Sequence, residues 1–278
     1  MIGLGLNATK TPTTNTNIVR SVDAGGEERG SSSSLVNALV LRHDYKDKTV
    51  GLCSSGAGAF DEGNDQINIG NVFTFGREDF SITTWVKWDV TSTASGESYI
   101  ISKIVDSNNT MKLAYKTSIN KFILTVKENG NSVVGNGTST GITSAMENEW
   151  IHVAATCDRD GKVKVYVNGS TDTYGLSINS GSTSEDIDSS GDWVIGGQGP
   201  STFGNFEGFI CNVGIWKGEA LTQPQIKSIM NKNYAALSAS EKTNLVSWWN
   251  LDEETATDGT AGTGGVKDYH GSNHGTLA

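Results

Sequence analysis

Two acidic runs are the first places where this sequence could do acid–base chemistry: Glu185-Asp186-Ile187-Asp188 and Asp252-Glu253-Glu254. Sugar hydrolysis with retention needs two carboxylates ~5 Å apart across the scissile bond. The first run sits in a Ser/Gly-rich stretch and the second at a strand end, and both read as solvated acidic turns. Nucleophilic catalysis also lacks parts. The four histidines are His43, His152, His270 and His274. The last two lie in a Gly/Asn loop, and no Gly-x-Ser-x-Gly occurs. Gly196-Gly197 reads as a turn or bulge and not as a phosphate loop leading into a helix. Cys53, Cys157 and Cys211 are odd in number, far apart and without a Cys-x-x-Cys spacing. They read as buried free thiols of a chain folded in a reducing compartment, and they argue against a zinc site.

The elements that must position any site are strands. Gly reaches 34 residues and Pro only 3, with hydrophobic content at 36%. That mix fits long strands joined by polar turns. The formal charge of −10 and pI near 4.9 repel phosphate backbones, so nucleic acid is not an expected partner. No stretch is long enough to cross a membrane as a helix. The start, MIGLGLNATK, has no basic n-region, which leads one to expect synthesis in a cytosol without signal-peptide export.

Residues 1–34 are rich in Thr, Ser, Asn and Gly and read as an extended polar arm that cannot fold alone. Within it Ile2, Leu4 and Leu6 alternate as a short strand that docks on a partner. LVNALVLRHDY then reads as a strand or short helix. Strand patterns follow around Ala59–Asp61, Gln66–Ile69, Phe80–Trp88, Tyr99–Ile104, Met111–Tyr115, Lys121–Val126, Trp150–Cys157, Lys162–Asn168, Trp193–Gly196 and Phe206–Trp216. In Phe80–Trp88 the residues Ile82, Val86 and Trp88 share one face, with Thr83, Trp85 and Lys87 on the other. Val163, Val165 and Val167 likewise point inward. Thr222 with Gln225 makes a capping box, Pro224 sits in the first turn, and Ile226, Ile229 and Met230 form an apolar stripe: a helix. Ser238 with Glu241 predicts a second short helix. The fold class is therefore all-β, an antiparallel two-sheet sandwich over residues 35–236. Short C-terminal helices and a C-terminal extension, 237–278, follow it.

Several of these segments resemble a known family. FSITTWVKW is similar to the opening core strand of concanavalin A-like, laminin G-like jelly-roll domains. EWIHVAATCDRDGKVKVYVNG resembles their central hairpin, and FEGFICNVGIWKGEALTQPQI their closing strand and helix. Phe60-Asp61 with Asp65 and Ile67 resembles their edge-strand motif. The fold hosts lectins, adhesins, glycosidases and structural modules, so the resemblance speaks to fold more than to function. The hydrolases among them carry a Glu-x-Asp-x-x-Glu type cluster on one strand, which this sequence lacks, and His152 falls on a framework position. Where relatives have Asp after the Ile of Phe-x-Gly-x-Ile, this chain has Cys211. The run LVSWWNLDEE with KDYHGSNHGTL resembles the segment that opens such domains, yet stands last. It folds back on its own sandwich, completes a neighbouring chain, or is the remnant of a second domain.

The resemblance implies two kinds of site. Members often hold a calcium ion with loop oxygens, which Asp61, Asn64 and Asp65, or Asp252, Asp268 and Asn273, could supply. Asx-rich turns also arise for backbone reasons alone. Glycan binding needs aromatic rings beside polar groups, and the outward face offers Trp85, Lys87, His152, Lys164 and Tyr166. The alternative is that the arm, the helix or the C-terminal segment covers these rings. The MIGLGL start, the polar arm, LRHDY and the WWNLD tail resemble minor structural proteins of marine tailed bacteriophages. That likeness implies a non-enzymatic virion protein, a capsid decoration or tail-associated component. It would partner other virion proteins, form a homo-oligomer and adsorb to glycans. A virion protein reaches the exterior by lysis, without an export signal or disulfides. A free carbohydrate-binding lectin is the alternative, and a glycoside hydrolase the third reading.

Overall fold

A computed structural model describes residues 56–61, 63, 65–88, 96–128, 131–132, 142–143, 146–171, 176–177, 186–187, 190–199, 204–252 and 265–277. The arm with Ile2, Leu4 and Leu6, and the LVNALVLRHDY segment, lie outside the described residues.

The strands are β1 (Gly58–Asp61), β2 (Ile67–Gly70), β3 (Phe80–Trp88), β4 (Glu97–Ile104), β5 (Thr110–Lys116), β6 (Lys121–Glu128), β7 (Asn131–Ser132), β8 (Ile151–Cys157), β9 (Lys162–Val167), β10 (Ser170–Thr171), β11 (Leu176–Ser177), β12 (Trp193–Ile195), β13 (Glu207–Lys217), β14 (Leu245–Trp249) and β15 (Thr276–Leu277). They form two antiparallel sheets, as expected from the alternation. One has the order β1-β13-β3-β8-β9-β10, with β14 also on β13 and β11 on β9. The other runs β15-β2-β12-β4-β5-β6-β7. The main core joins the inward residues of both, including Phe80, Ile82, Val86, Trp88, Val163, Val165 and Val167, at the positions that the period of two assigns.

Strand β13 is the spine of the first sheet. On one side it pairs with β3 along its length, and on the other with β1 and then β14. A bulge lies between Cys211 and Gly214, where three steps on β13 face two on β3. Asn212 within it has φ +51°, a left-handed conformation that Asn tolerates better than most residues. The extra residue reverses the alternation. Before it, Phe206 and Ile210 point into the core; after it, Val213 and Ile215 do.

The C-terminal segment contributes to both sheets of this same chain. β14 lies on β13, and β15 lies on β2. Trp249 is fully buried in the main core and donates its indole N–H to the Asn273 carbonyl at 2.8 Å.

Helix α1 (Gln223–Ile229) forms where the capping box places it. The Gln225 side chain accepts from the Thr222 N–H at 2.8 Å. Ile226 and Ile229 pack into a second apolar cluster on the outside of the first sheet, with Tyr166, Trp216 and Trp248. The second helix expected after Ser238 is a correction. The reciprocal bonds form, Ser238 N–H to Glu241 Oε2 at 2.8 Å and Glu241 N–H to Ser238 Oγ at 3.2 Å, but the chain makes only turns over 239–244. Asn244, at φ +62°, ends them and leads directly into β14. A 3-10 turn, Tyr234–Ala236, precedes.

Replacing the buried Trp249 tests whether the C-terminal segment is integral to the core. Trp249→Ala is expected to lower stability by about 3–5 kcal/mol, seen as a lower denaturant midpoint at unchanged slope. A change below ~1 kcal/mol would contradict the packing.

Candidate functional site

The outer face of the first sheet divides into a covered half and an open end. Successive outward rows run across β13, β3, β8 and β9. One row holds Gly214, Thr83, Ala154 and Tyr166. The next holds Cys211, Trp85 and His152. Helix α1 lies over this half, and the Trp85 indole N–H donates to the Met230 carbonyl at 3.0 Å just past its end.

The aromatic platform expected on that face is therefore corrected. The five residues do share the outer face, but Trp85 is 4%, His152 2% and Tyr166 2% exposed. Lys164 is half-buried beyond them. The strand alternation placed these rings on the outside of the sheet, and the helix then removed them from solvent. His152 stands edge-on to Trp85 at 5.4 Å between ring centres, and its Nδ1 has no hydrogen-bond partner. Burial pushes its pKa down to about 3. Cys157 and Cys211 are buried and form no disulfide, and burial pushes Cys157 up to about 12, which keeps it an unreactive thiol.

Lys87 differs from the other four because it lies one row nearer the open end. Phe209 pairs directly with it from β13, and Trp150 precedes β8 on its other side. Phe209 is 43% exposed, and its ring centre is 6.4 Å from that of Trp150 at 48°. Beside them lies a groove of about 280 Å³ whose lining includes Lys87, Phe209, Asp61, Asp65, Glu207 and Asn148. Asp61 and Glu207 face each other across β1 and β13. The Glu207 Oε2 is buried and has no hydrogen-bond partner. Gly208, at φ +123°, makes this geometry possible. A Cβ there would sit 2.0 Å from the Lys87 carbonyl oxygen, so only glycine lets the two strands pair this closely.

The sequence reading missed Phe209, Glu207 and Trp150. In Phe206-Glu207-Gly208-Phe209-Ile210 the motif residues Phe206 and Ile210 are core, and Gly208 is the close approach. The groove is lined from the two intervening positions. An aromatic residue at an outward position of β13, opposite a lysine, was the available signal.

The calcium expectation has a partial fit. The Asp61 and Asp65 carboxylates lie close enough to interact electrostatically. Partial desolvation first, then the Asp61 carboxylate, raises the pKa of Asp65. Asn64 lies outside the described residues. Among the described residues no group of three acidic, histidine or cysteine side chains is disposed to hold a metal. The second set is corrected. Asp268 is buried, and its carboxylate accepts the backbone N–H groups of Trp248, His270, Gly271 and Asn273 at 2.9–3.1 Å. It organises the loop that returns to β15, and Asn273 spends its side-chain amide on the Ser247 hydroxyl at 2.7 Å.

With this geometry established, the chain can be placed. It belongs to the concanavalin A-like lectin/glucanases superfamily, whose laminin G-type family matches residues 61–227. Its fold is the concanavalin A-like jelly roll. No curated protein sequence matches it. Among solved structures it is similar to domain 4 of AbnA, a GH43 extracellular arabinanase from Geobacillus stearothermophilus, in complex with arabinotriose. Identity there is 20%, over 63% of this chain and 76% of that one, with a TM-score of 0.46. The binding domain of botulinum neurotoxin serotype D is 16% identical over 64% of this chain and 44% of that one, TM-score 0.45. The binding domain of Paraclostridial mosquitocidal protein 1 is 17% identical over 64% and 46%, TM-score 0.43. The chain thus spans less than half the length of the two toxin domains.

Burial of His152 gives a pH dependence. The unfolded chain takes up a proton near the ordinary 6.5, while the folded chain refuses it down to about 3. The unfolded state binds more protons in that window. Stability is therefore complete above pH 6.5 and falls as pH drops toward 3, by at most about 1.4 kcal/mol per pH unit from this group. Denaturant midpoints measured across this range should fall less steeply in His152→Gln. An identical slope in both proteins would remove His152 from the effect.

Proposed function

We propose that the chain is a non-catalytic saccharide-binding sandwich carried on a bacteriophage virion, and that sugar binds at the open end beside Phe209. The observation that carries the binding part is the juxtaposition of an exposed aromatic ring with polar groups in one groove. Apolar sugar faces stack on rings while hydroxyls bond to side chains such as Asp61, Asn148 and Lys87. Membership of a superfamily of lectins and glucanases supports the ligand class.

The non-catalytic part rests on the carboxylates. The Glu-x-Asp-x-x-Glu type strand cluster of the family's hydrolases is missing from this sequence. Among the described residues no histidine lines the groove. The virion part rests on the resemblance of the sequence segments, and buried cysteines outside any disulfide, Cys157 and Cys211, suit folding in a cytoplasm followed by release on lysis. In this reading residues 1–34 anchor the sandwich to other virion proteins or to copies of itself.

Two measurements check it. Phe209→Ala should weaken saccharide binding about tenfold by calorimetry while leaving the melting temperature nearly unchanged, since the ring is exposed. Tyr166→Phe, beneath the helix, should leave binding unchanged; a loss there would move the site. Light scattering should find a defined oligomer for the full chain and a monomer for a version starting at Leu35. Monomers in both cases would favour a free lectin over an arm-assembled component.

A further inference from the structure

We propose that the groove beside Phe209 selects saccharides that carry a free ammonium group, a 2-amino sugar, over neutral and acidic ones. This inference rests on the saccharide reading above and names the ligand class for that same site.

Charge complementarity carries the argument. Among the described residues the lining sets three carboxylates, Asp61, Asp65 and Glu207, against one lysine, Lys87. The chain around them is itself acidic, at −10. An anionic sugar would meet net repulsion at short range, where screening by salt is weak. Glu207 is partly buried and lines the groove beside Asp61, so its carboxylate adds to the negative charge that a ligand meets there. An ammonium donates three hydrogen bonds and also offsets the repulsion between Asp61 and the carboxylates beside it.

The donor geometry favours an organic cation over a metal ion. Among the described residues no three acidic, histidine or cysteine side chains converge as metal ligands. Asp61, Asp65 and Glu207 line a groove of about 280 Å³, at the small end of ligand-pocket sizes, ~300 Å³. One wall of the groove is the exposed Phe209 ring. A protonated amino sugar meets both features. Its apolar face lies on the ring, and its ammonium sits among Asp61 and Glu207 with a cation–π contribution from Phe209. Lys87 remains as a donor to a ring or hydroxyl oxygen, which keeps the sugar oriented.

The test compares three probes on the full chain by calorimetry: a fully de-N-acetylated glucosamine tetramer, its N-acetylated counterpart, and a glucuronic-acid-bearing oligosaccharide. The de-acetylated tetramer, with its amines protonated, should bind about tenfold tighter than the acetylated one, the worth of one charge-assisted hydrogen bond. The acidic oligosaccharide should bind most weakly. Rising salt should erode the preference. Glu207→Gln, and separately Asp61→Asn, should bring the two tetramers to similar affinity while the acetylated one keeps its own, and unchanged melting temperatures would show that both variants fold. Equal binding of the two tetramers by the natural chain would overturn the ammonium inference and leave the saccharide reading standing. So would a preference that survives both substitutions, or a lysine tetrapeptide that binds as tightly as the amino sugar. Failure of all three oligosaccharides to bind would sink both.

Discussion

The bulge between Cys211 and Gly214 is the constraint on which the rest of this sandwich depends. A strand of strict alternation would carry its parity from Phe206 to Trp216 unchanged. Phe206 and Ile210 would then point inward together with Trp216, and Ile215 would face out. The one extra residue reverses that order. Ile215 enters the main core, and Trp216 joins the outer cluster beneath helix α1. Both halves of the outer face follow from this reversal. One half acquires the indole that the helix packs on. The other keeps Glu207 and Phe209 turned outward at the open end.

The second half of β13 also needs a partner on its far edge, because β1 covers only Glu207 to Ile210. β14 supplies it and brings Trp248 and Trp249 to opposite faces. The C-terminal segment is thus held by ladder hydrogen bonds, by two buried indoles and by the Asp268 carboxylate that gathers four backbone N–H groups. Helix and C-terminal aromatics cover one half of the sheet, and Phe209 stays exposed at the other end.

Much of the fold was legible because the signals were local. Ile82, Val86 and Trp88 share a face by a period of two, and Thr222 with Gln225 stops and starts the chain at the helix. The capping pair Ser238–Glu241 misled for a physical reason: its bonds form, but Asn244 turns the chain into β14 before a helix can extend. The site was less legible. Alternation says that Trp85, His152 and Tyr166 leave the core; it does not say which part of the outer surface a later helix will cover. That is decided by Ile226 and Ile229, whose docking place is a tertiary fact. Phe209 and Glu207 were hidden in a framework motif whose fixed residues are structural and whose variable positions line the groove.

The most direct test of the account is a backbone and indole NMR titration of the full chain with a panel of neutral and amino oligosaccharides. Shifts that saturate at Lys87, Trp150, Glu207 and Phe209, with the Trp85 indole unmoved beneath its helix, are the expected result. Saturable shifts confined to the other sheet or to the C-terminal loop, or none at these four residues, would contradict it.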